Sequence, residues 1–318
     1  MNAPSQILVT GGAGFIGSQL TALLVARGHH VRILDNLRRA NLAAVEPFLD
    51  TGAAELIEGD VRYRARVEDA MHGVDSVVHL AATAINKSVV DPAESLEINL
   101  AGSDNVFGAA ADEGVRRVVF ASTASVYGEP DALPMTEDSP LKPQTPYCIS
   151  KLAAEHMLQF YGQTQGLPWN ILRFFNVYGP GQRAEAYYTS VVLTFIFRLQ
   201  AGEPPIIDGD GAQTMDFVHV RDVARALVHA LESDASGQIC NVGTGVQTSV
   251  AELARILVGI LGVDVEPQFR PRDVIVSRRA ADIQRAAEVL GWAPEIGVKE
   301  GLDQVVEELL ASQSPHAP

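Results

Sequence analysis

The sequence predicts an α/β protein with a doubly wound parallel sheet, and three observations support this prediction. Short apolar runs, such as those at 7–9 and 31–34, alternate with longer segments of helical periodicity. Such alternation is typical of parallel strands that are connected through helices on both faces of a sheet. The runs are rich in Val, Ile and Leu, as expected for strands that are buried on both sides. A glycine-rich segment follows the first run, where a strand should give way to a helix.

The expected elements follow in order along the chain. We expect strands at 7–9, 31–34, 54–58, 74–79, 117–121 and 169–173, with helices at 15–28, 91–113 and 145–165. After residue 174 turn-rich stretches appear, and we expect helices near 188–200, 219–232, 248–260 and 297–311. We therefore predict a sheet domain over 1–174, with returning segments near 219–245, and a smaller mixed α/β substrate-binding domain over 175–318.

Composition excludes several classes of protein. The chain has 318 residues and a net charge of −15, with 39 acidic against 24 basic residues, which argues against nucleic acid as a partner. Its two cysteines, Cys148 and Cys240, suggest no disulfide framework. No leader-like pattern opens the chain, and no apolar run is long enough to span a bilayer. We expect a cytoplasmic protein that uses neither a membrane nor nucleic acid.

The glycine-rich segment 10–17 has the spacing of a dinucleotide-binding loop. Gly11 permits a tight turn, Gly14 lets the backbone approach a pyrophosphate, and Gly17 lets the helix pack close to the strand. Phe15 and Ile16 then lie in the first turn of the helix, whose N-terminus attracts phosphates. The strand before the loop and the helix after it make this a specific signal for a dinucleotide in a Rossmann fold.

Asp35 ends the second strand, eighteen residues after Gly17. A carboxylate at this place accepts hydrogen bonds from ribose hydroxyls and repels a 2′-phosphate, so NAD is favoured over NADP. Asp60 and Val61 follow the third strand and are expected to flank the adenine, although Asp60 is equally explained as a helix N-cap. Leu80, Ala81 and Ala82 end the fourth strand, where small residues let a cofactor pass close to the sheet.

Tyr147 and Lys151 are spaced i, i+4 on a predicted helix, so both side chains project from one face. An ammonium nearby lowers the pKa of a phenol, which can then exchange a proton with a substrate hydroxyl. Alone, this pair is equally typical of a helix surface. Ser122 and Thr123, however, end the preceding strand, where open α/β sheets place their sites. The alternative for these two hydroxyls is that they only form the turn.

Together these segments resemble a known family. The sequence is similar to the NAD-dependent epimerase/dehydratase family of extended short-chain dehydrogenases/reductases, and most similar to its UDP-glucose/UDP-N-acetylglucosamine 4-epimerases. The residues that carry the resemblance are TGGAGFIG at 10–17, LDN at 34–36, GDV at 59–61, HLAA at 79–82, STASVYG at 122–128, YCISK at 147–151, RFFNVYGPGQ at 173–182 and MDFVHVRDVARA at 215–226.

The resemblance implies roles for matching positions. Tyr147 would be the acid/base, Lys151 would position the cofactor ribose, and Thr123 would bond the reacting sugar oxygen. Ser122 would lie by the nicotinamide. Further contacts to NAD are implied for Asn36 and Asn99.

The resemblance also implies a diphosphate site. Asn176, Arg270 and Asp273 match positions that bind a nucleotide sugar, and Arg270 could alternatively form a surface salt bridge. Many relatives carry arginine where this chain has Met215. One diphosphate contact is then missing, or another cation supplies it, and Arg183 and Arg272 are the candidates.

The residues after Thr123 indicate which of the family's reactions to expect. Dehydratases of the family carry Asp-Glu there, whereas this chain has Ala124-Ser125, which favours epimerisation at C4. The alternatives are a nucleotide-sugar dehydratase, a keto-sugar reductase, and an inactive NAD-binding regulator. The resemblance further implies a homodimer through the helices at 91–113 and 145–165. Leu96, Leu100, Leu152 and Leu158 are candidates for that interface, although core packing explains them equally well.

Overall fold

A computed structural model of the chain describes residues 4–183, 190–271 and 277–313. The strands are β1 Gln6–Thr10, β2 His30–Asp35, β3 Ala54–Glu58, β4 Ser76–His79, β5 Arg117–Thr123, β6 Trp169–Phe174, β7 Asn176–Tyr178, β8 Ile206–Asp208, β9 Thr214–Met215, β10 Phe217–His219, β11 Gln238–Val242, β12 Thr248–Ser249 and β13 Gln268–Arg270. The helices are α1 Phe15–Ala26, α2 Leu42–Asp50, α3 Arg64–Met71, α4 Ile85–Val90, α5 Pro92–Leu96, α6 Gly102–Glu113, α7 Pro146–Gln165, α8 Val191–Gln200, α9 Val220–Glu232, α10 Val250–Leu261, α11 Gln284–Leu290 and α12 Val298–Gln313.

The central sheet has seven strands in the order β3-β2-β1-β4-β5-β6-β11, and all of its pairs are parallel. One apolar cluster packs residues of α1 and α9 against one face, and a second packs residues of α3, α6 and α7 against the other. The predicted doubly wound Rossmann sheet is therefore confirmed. Strand order reverses between β1 and β4, so a crevice is expected at the carboxyl ends of these strands.

The second half of the chain builds smaller sheets. β7 pairs with β10 and β8 with β13 in parallel, whereas β9 pairs with β12 antiparallel. A third apolar cluster gathers residues of α8, α10 and α12. β11 joins the central sheet beside β6, and α9 packs against α1, so part of the chain after residue 174 returns to the first layer. The division into two functional domains at residue 174 stays our proposal.

The helix expected over 91–113 is interrupted. α5 runs into a π-helical segment, Glu97–Ala101, and this segment continues into α6. The sequence pattern did not predict this change, because a five-residue segment is too short to alter the apolar periodicity. π-Helical turns inside α-helices are frequent at functional sites. None of the helices in the three described ranges has both the length and the apolar character that crossing a bilayer requires.

Candidate active site

The glycine loop joins β1 to α1 with very little space around it. Gly11 has φ of +69°, and a Cβ built on it would lie 3.0 Å from the Ala81 nitrogen. A Cβ on Gly17 would lie 2.6 Å from the Gly12 Cα, closer than packed atoms approach. Gly14 is the N-cap of α1 and provides no side-chain cap. The uncapped amides of this helix N-terminus thus fit a phosphate group, as NAD requires.

Asp35 lies at the end of β2, beside the glycine loop. Its Oδ2 accepts a hydrogen bond from the Ala13 nitrogen at 3.1 Å, and its Oδ1 accepts one from the Leu37 nitrogen at 2.9 Å. Burial raises the pKa of this carboxyl, while the two backbone amides oppose the rise. Leu37 adopts a left-handed φ of 62°, which lets the chain turn back toward the carboxylate. The carboxylate is therefore fixed at the carboxyl end of β2, and its contact with a ribose stays a prediction.

Asn36 and Asp60 connect the ends of β2 and β3. Asn36 Nδ2 donates to Asp60 Oδ2 at 3.0 Å, and Arg62 Nη2 donates to the same oxygen at 2.8 Å. Burial raises the pKa of Asp60, but the bonds from Arg62 and Asn36 outweigh it and hold the pKa at about 2. Tyr63, not Asp60, is the N-cap of α3, so the capping alternative for Asp60 is wrong.

The end of β4 closes over the glycine loop. The nitrogens of Leu80 and Ala81 each donate to Thr10 Oγ1 at 3.2 Å. Ala82 follows and is partly buried, whereas Val61, in the loop after β3, is almost fully buried. These backbone segments surround the crevice where we expect the cofactor.

Asn99 lies in the π-helical segment and is fully buried. Its Oδ1 accepts from the Thr83 nitrogen at 2.8 Å, and its Nδ2 donates to Ser95 Oγ at 3.3 Å and Ser150 Oγ at 3.2 Å. Asn99 thus joins the loop after β4 to helix α7. Its direct contact with NAD stays a prediction.

Tyr147 and Lys151 lie in the first two turns of α7, which begins at Pro146. Thr145 caps this helix by accepting a hydrogen bond from the Cys148 nitrogen at 3.3 Å. Tyr147 is partly buried, whereas Lys151 is only 2% exposed. Burial lowers the pKa of Lys151 to about 7, against the opposing charge of Glu155. The helix therefore presents a phenol above a buried amine, as the spacing predicts.

Thr123 and Ser122 end β5, which α7 contacts. Thr123 Oγ1 accepts from the Ser125 nitrogen at 3.1 Å and caps the 3₁₀ turn Ala124–Tyr127, so its hydroxyl proton can be donated elsewhere. Ser122 is buried, and its hydroxyl donates to Glu155 Oε1. Thr123 therefore combines turn formation with a hydroxyl at the strand end, while Ser122 is directed inward.

Glu155 and Arg173 are residues that sequence reasoning did not single out. They form a buried bidentate ion pair. Arg173 Nε lies 3.0 Å from Glu155 Oε1, and Arg173 Nη2 lies 2.7 Å from Glu155 Oε2. The available signal was the spacing of Glu155, which lies four residues after Lys151 on the same helix. No sequence pattern named Arg173 as its partner.

The proposed diphosphate ligands lie on several separate elements. Asn176 begins β7, and its Nδ2 donates to the Asp216 carbonyl at 3.3 Å. Arg270 ends β13 and pairs with Asp208, with Nη2 2.6 Å from Oδ1. Arg270 thus makes the surface salt bridge that was its alternative, and its side chain is still 63% exposed. Asp273 falls outside the described residues.

Arg183 contacts the loop after β2. Its Nη1 donates to the Ala40 carbonyl at 3.1 Å and its Nη2 donates to Asn41 Oδ1 at 2.8 Å. In this arrangement the guanidinium connects the segment after β7 to the loop between β2 and α2. A contact with the diphosphate stays a prediction, and Arg272, the other candidate, is not among the described residues.

Met215 packs against the third apolar cluster, in β9. Its neighbour Thr214 forms a parallel bridge with Arg278, and the Arg279 nitrogen donates to the Thr214 carbonyl at 3.2 Å. Two arginines therefore lie next to Met215 in space although they are more than sixty residues away in sequence. Linear spacing could not reveal them.

Comparisons with known proteins agree with this geometry. The model of the NAD-dependent epimerase/dehydratase family matches residues 7–243. The UDP-glucose 4-epimerase of Mycolicibacterium smegmatis is 39% identical, over 94% of this chain and 97% of the relative. The Thermotoga maritima UDP-glucose 4-epimerase, solved with UDP-glucose, superposes with a TM-score of 0.90 at 35% identity, over 97% of this chain and all (100%) of that one. The Thermus thermophilus UDP-glucose 4-epimerase, solved with NAD, has a TM-score of 0.85 at 36% identity, covering 96% and 99%.

Proposed function

The chain belongs to the NAD-dependent epimerase/dehydratase family of extended short-chain dehydrogenases/reductases, and on this premise we propose that it inverts C4 of a UDP-linked hexose through a transient 4-keto intermediate. It is an NAD-dependent nucleotide-sugar 4-epimerase, and therefore an isomerase. The proposal concerns the sugar, the base and the route of the reaction.

One observation carries the proposal more than any other. Tyr147 and Lys151 share one face of α7, and α7 packs against the strand that ends in Ser122 and Thr123. This arrangement brings an acid/base, a cation and a hydroxyl donor to the same end of the sheet. A sugar hydroxyl next to a nicotinamide requires those three groups.

Each residue of the site has a separate role in the proposed reaction. Tyr147 removes the proton from the C4 hydroxyl and later returns it, while Thr123 donates a hydrogen bond to the same sugar oxygen. The Lys151 ammonium favours the phenolate form of Tyr147 and bonds the cofactor ribose. The glycine loop and Asp35 would hold NAD, which would supply a hydride acceptor and donor for C4. Because the hydride removed from C4 would return to the same carbon, the reaction involves no net oxidation of the sugar.

The diphosphate is the pivot on which the keto sugar turns between its two faces. We assign its binding to Asn176 and Arg270, with Arg183 as a further candidate, and we assign Asp273 to the nucleotide sugar without a contact to the diphosphate. The fixed backbone of β7 supports Asn176, whose nitrogen donates to the Asp216 carbonyl at 3.0 Å. The exposed guanidinium of Arg270 suits a charged group that arrives from solvent.

The dehydratase alternative lacks its acid and base in this chain. The two positions after Thr123 are Ala124, which is buried, and Ser125. Glu129 follows the same loop, and its Oε1 lies 3.8 Å from Arg279 Nη2. Elimination of water between C5 and C6 needs carboxylates at the sugar, and this pairing draws Glu129 toward an arginine instead.

We further propose that the chain forms a homodimer through α4, α5 and α7. These contacting helices carry large apolar side chains that are exposed, among them Val90 at 71%, Phe160 at 51% and Leu96 at 42%. Apolar side chains on adjoining helices are typical of an interface. Leu158 is fully buried in the core and does not belong to that face, whereas Leu100 and Leu152 are partly buried.

The experiment that tests the proposed function is a product analysis. Purified protein is incubated separately with UDP-glucose, UDP-N-acetylglucosamine and the corresponding uronic acids, and the products are identified by NMR. We expect a C4 epimer with no loss of water and no added NADH. A 4-keto-6-deoxy sugar, or a requirement for stoichiometric NADH, would contradict the proposal.

A further inference from the structure

A buried ion pair lies directly behind the proposed catalytic groups. Arg173 and Glu155 have side chains that are only 2% and 1% exposed, and they meet through two parallel hydrogen bonds. Arg173 is the register partner of Ser122 across β5 and β6. The pair, with Arg173 on β6 and Glu155 on α7, therefore lies beside the strand that ends in Ser122 and Thr123.

Stability alone does not account for this pair. Removing two charges from water costs about as much as their attraction returns, so a buried pair is often no more stable than apolar residues of similar size. Here the remaining donors of Arg173 are also used. Its Nη1 donates to the Tyr127 hydroxyl at 3.0 Å and to the Glu137 carbonyl at 3.1 Å. The guanidinium is thereby held in one orientation, and it holds the Glu155 carboxylate in turn.

The carboxylate connects the two elements that carry the site. Glu155 lies one helical turn after Lys151 and two turns after Tyr147, so all three project from the same side of α7. Its Oε1 also accepts the hydrogen bond from the Ser122 hydroxyl of β5. A substitution of Glu155 would therefore alter contacts both at the end of β5 and on helix α7.

The other groups around Lys151 provide little negative charge. The Phe120 ring of β5 lies 4.1 Å from the Lys151 Nζ, and His79 of β4 has its pKa held well below its ordinary value by burial and by Lys151. His79 is therefore neutral, and Tyr147 is the remaining titratable group on the helix face. In the part of the chain that the structure describes, Glu155 is the carboxylate whose negative charge raises the pKa of Lys151. Arg173 is the ion-pair partner of that carboxylate.

We propose that Glu155 is a positioning residue, which fixes the Ser122 hydroxyl and provides the counter-charge for the Lys151 ammonium. This proposal rests on the proposed function at one point, because it takes Lys151 as the residue that bonds the cofactor ribose. Arg173 acts through Glu155, because its two hydrogen bonds restrain the carboxylate in one orientation.

The test is the pH dependence of NADH binding, measured by fluorescence titration of the purified protein. Since the ammonium form of Lys151 donates to the cofactor, affinity should fall as pH rises through the Lys151 pKa. In Glu155→Gln, the lost carboxylate and the uncompensated Arg173 both disfavour the ammonium. We expect the inflection to move to lower pH by at least about one unit.

Two variants separate charge from structure. Glu155→Asp keeps the carboxylate but shortens it, so the inflection should return toward the wild-type pH while the turnover rate stays reduced. Glu137→Gln is the matched control, because the buried Glu137 carboxylate accepts from the Asn241 nitrogen at 2.7 Å, while Glu137 meets Arg173 only through its backbone carbonyl, which the substitution keeps. It should leave the inflection where the wild type has it.

A folded Glu155→Gln protein with the wild-type inflection overturns the proposal, as does an equal shift in Glu137→Gln. If Glu155→Gln gives no folded protein, the double variant Glu155→Gln/Arg173→Met takes its place and is expected to shift in the same direction. A folded double variant without a shift would likewise overturn the proposal. Absence of epimerisation in the wild type would contradict the proposed function alone, since the NADH titration does not depend on turnover.

Discussion

The Lys151 ammonium lies 4.1 Å from the centre of the Phe120 ring, and Phe120 stacks on His79 with ring centres 5.5 Å apart. A cation over an aromatic face is attracted by the negative potential of that face. Because burial lowers the pKa of Lys151 to about 7, this attraction acts on a group that is close to losing its proton.

Phe120→Leu should therefore move the alkaline inflection of NADH binding to lower pH. Losing the ring removes a contact that favours the ammonium, so Lys151 loses its proton sooner as pH rises. We expect a shift of about half a unit. Phe107→Leu is the control, because Phe107 meets Phe120 edge-on at 5.4 Å and is equally buried.

Both leucine variants should lose about 1 kcal/mol in free energy of unfolding, measured in urea. Only Phe120→Leu should alter the titration. An inflection that moves equally in the two variants would show that general loosening of the core is responsible.

Tyr147→Phe should reduce the turnover number by about 10²- to 10⁴-fold, since the phenol is the group that exchanges the C4 proton. NADH affinity and melting temperature should stay close to those of the wild type. Tyr161→Phe is a matched control on the same helix, where the hydroxyl donates to Asp104 Oδ1 at 2.9 Å. Steady-state kinetics that show similar losses in both variants would argue against Tyr147 as the acid/base.

Gly17→Ala should weaken NAD binding at least about tenfold and lower the free energy of unfolding by about 1–3 kcal/mol. The new Cβ would lie 2.6 Å from the Gly12 Cα, so the loop that receives the pyrophosphate must shift. Gly259→Ala, inside α10, meets no atom within 4 Å and should stabilise the helix by up to about 1 kcal/mol. Calorimetric titration with NAD and urea unfolding measure the two effects, and normal NAD affinity in Gly17→Ala would contradict this account of the loop.

Phe160→Glu should convert the proposed dimer to a monomer, because a charge on α7 would have to be buried between subunits. Light scattering after size exclusion gives the mass directly. Phe269→Glu is the control, because Phe269 is also 51% exposed but lies on β13, away from α4, α5 and α7. A wild-type protein that runs as a monomer would refute the interface, as would a Phe160→Glu protein that remains a dimer.

Six of the seven strands of the central sheet were predictable from sequence, because apolar runs are typical of strands packed between two layers of helices. The seventh strand, β11, was expected only as part of a returning segment near 219–245, since its place beside β6 depends on topology. The glycine loop and Asp35 were predictable as well, since tight turns and ribose recognition restrict the residue type at fixed spacing. The π-helical segment at 97–101 was not predictable, because packing and the bonds of Asn99 determine it.

The residues behind the site were harder to predict than those in it. Tyr147 and Lys151 are four residues apart, so local spacing reveals them. Arg173 meets Glu155 only because β6 pairs with β5, and Arg278 meets Thr214 only after the second half of the chain has folded. Such contacts depend on topology, which local patterns do not encode.

The most direct test of the central claim uses a UDP-hexose that carries deuterium at C4, incubated with the purified enzyme in ordinary water and without added cofactor. Hydride removal and return at one carbon predict a C4 epimer that keeps its deuterium, as NMR and mass spectrometry would show. Deuterium lost to the solvent, or a product from which water has been eliminated, would contradict inversion of C4 by way of a 4-keto sugar.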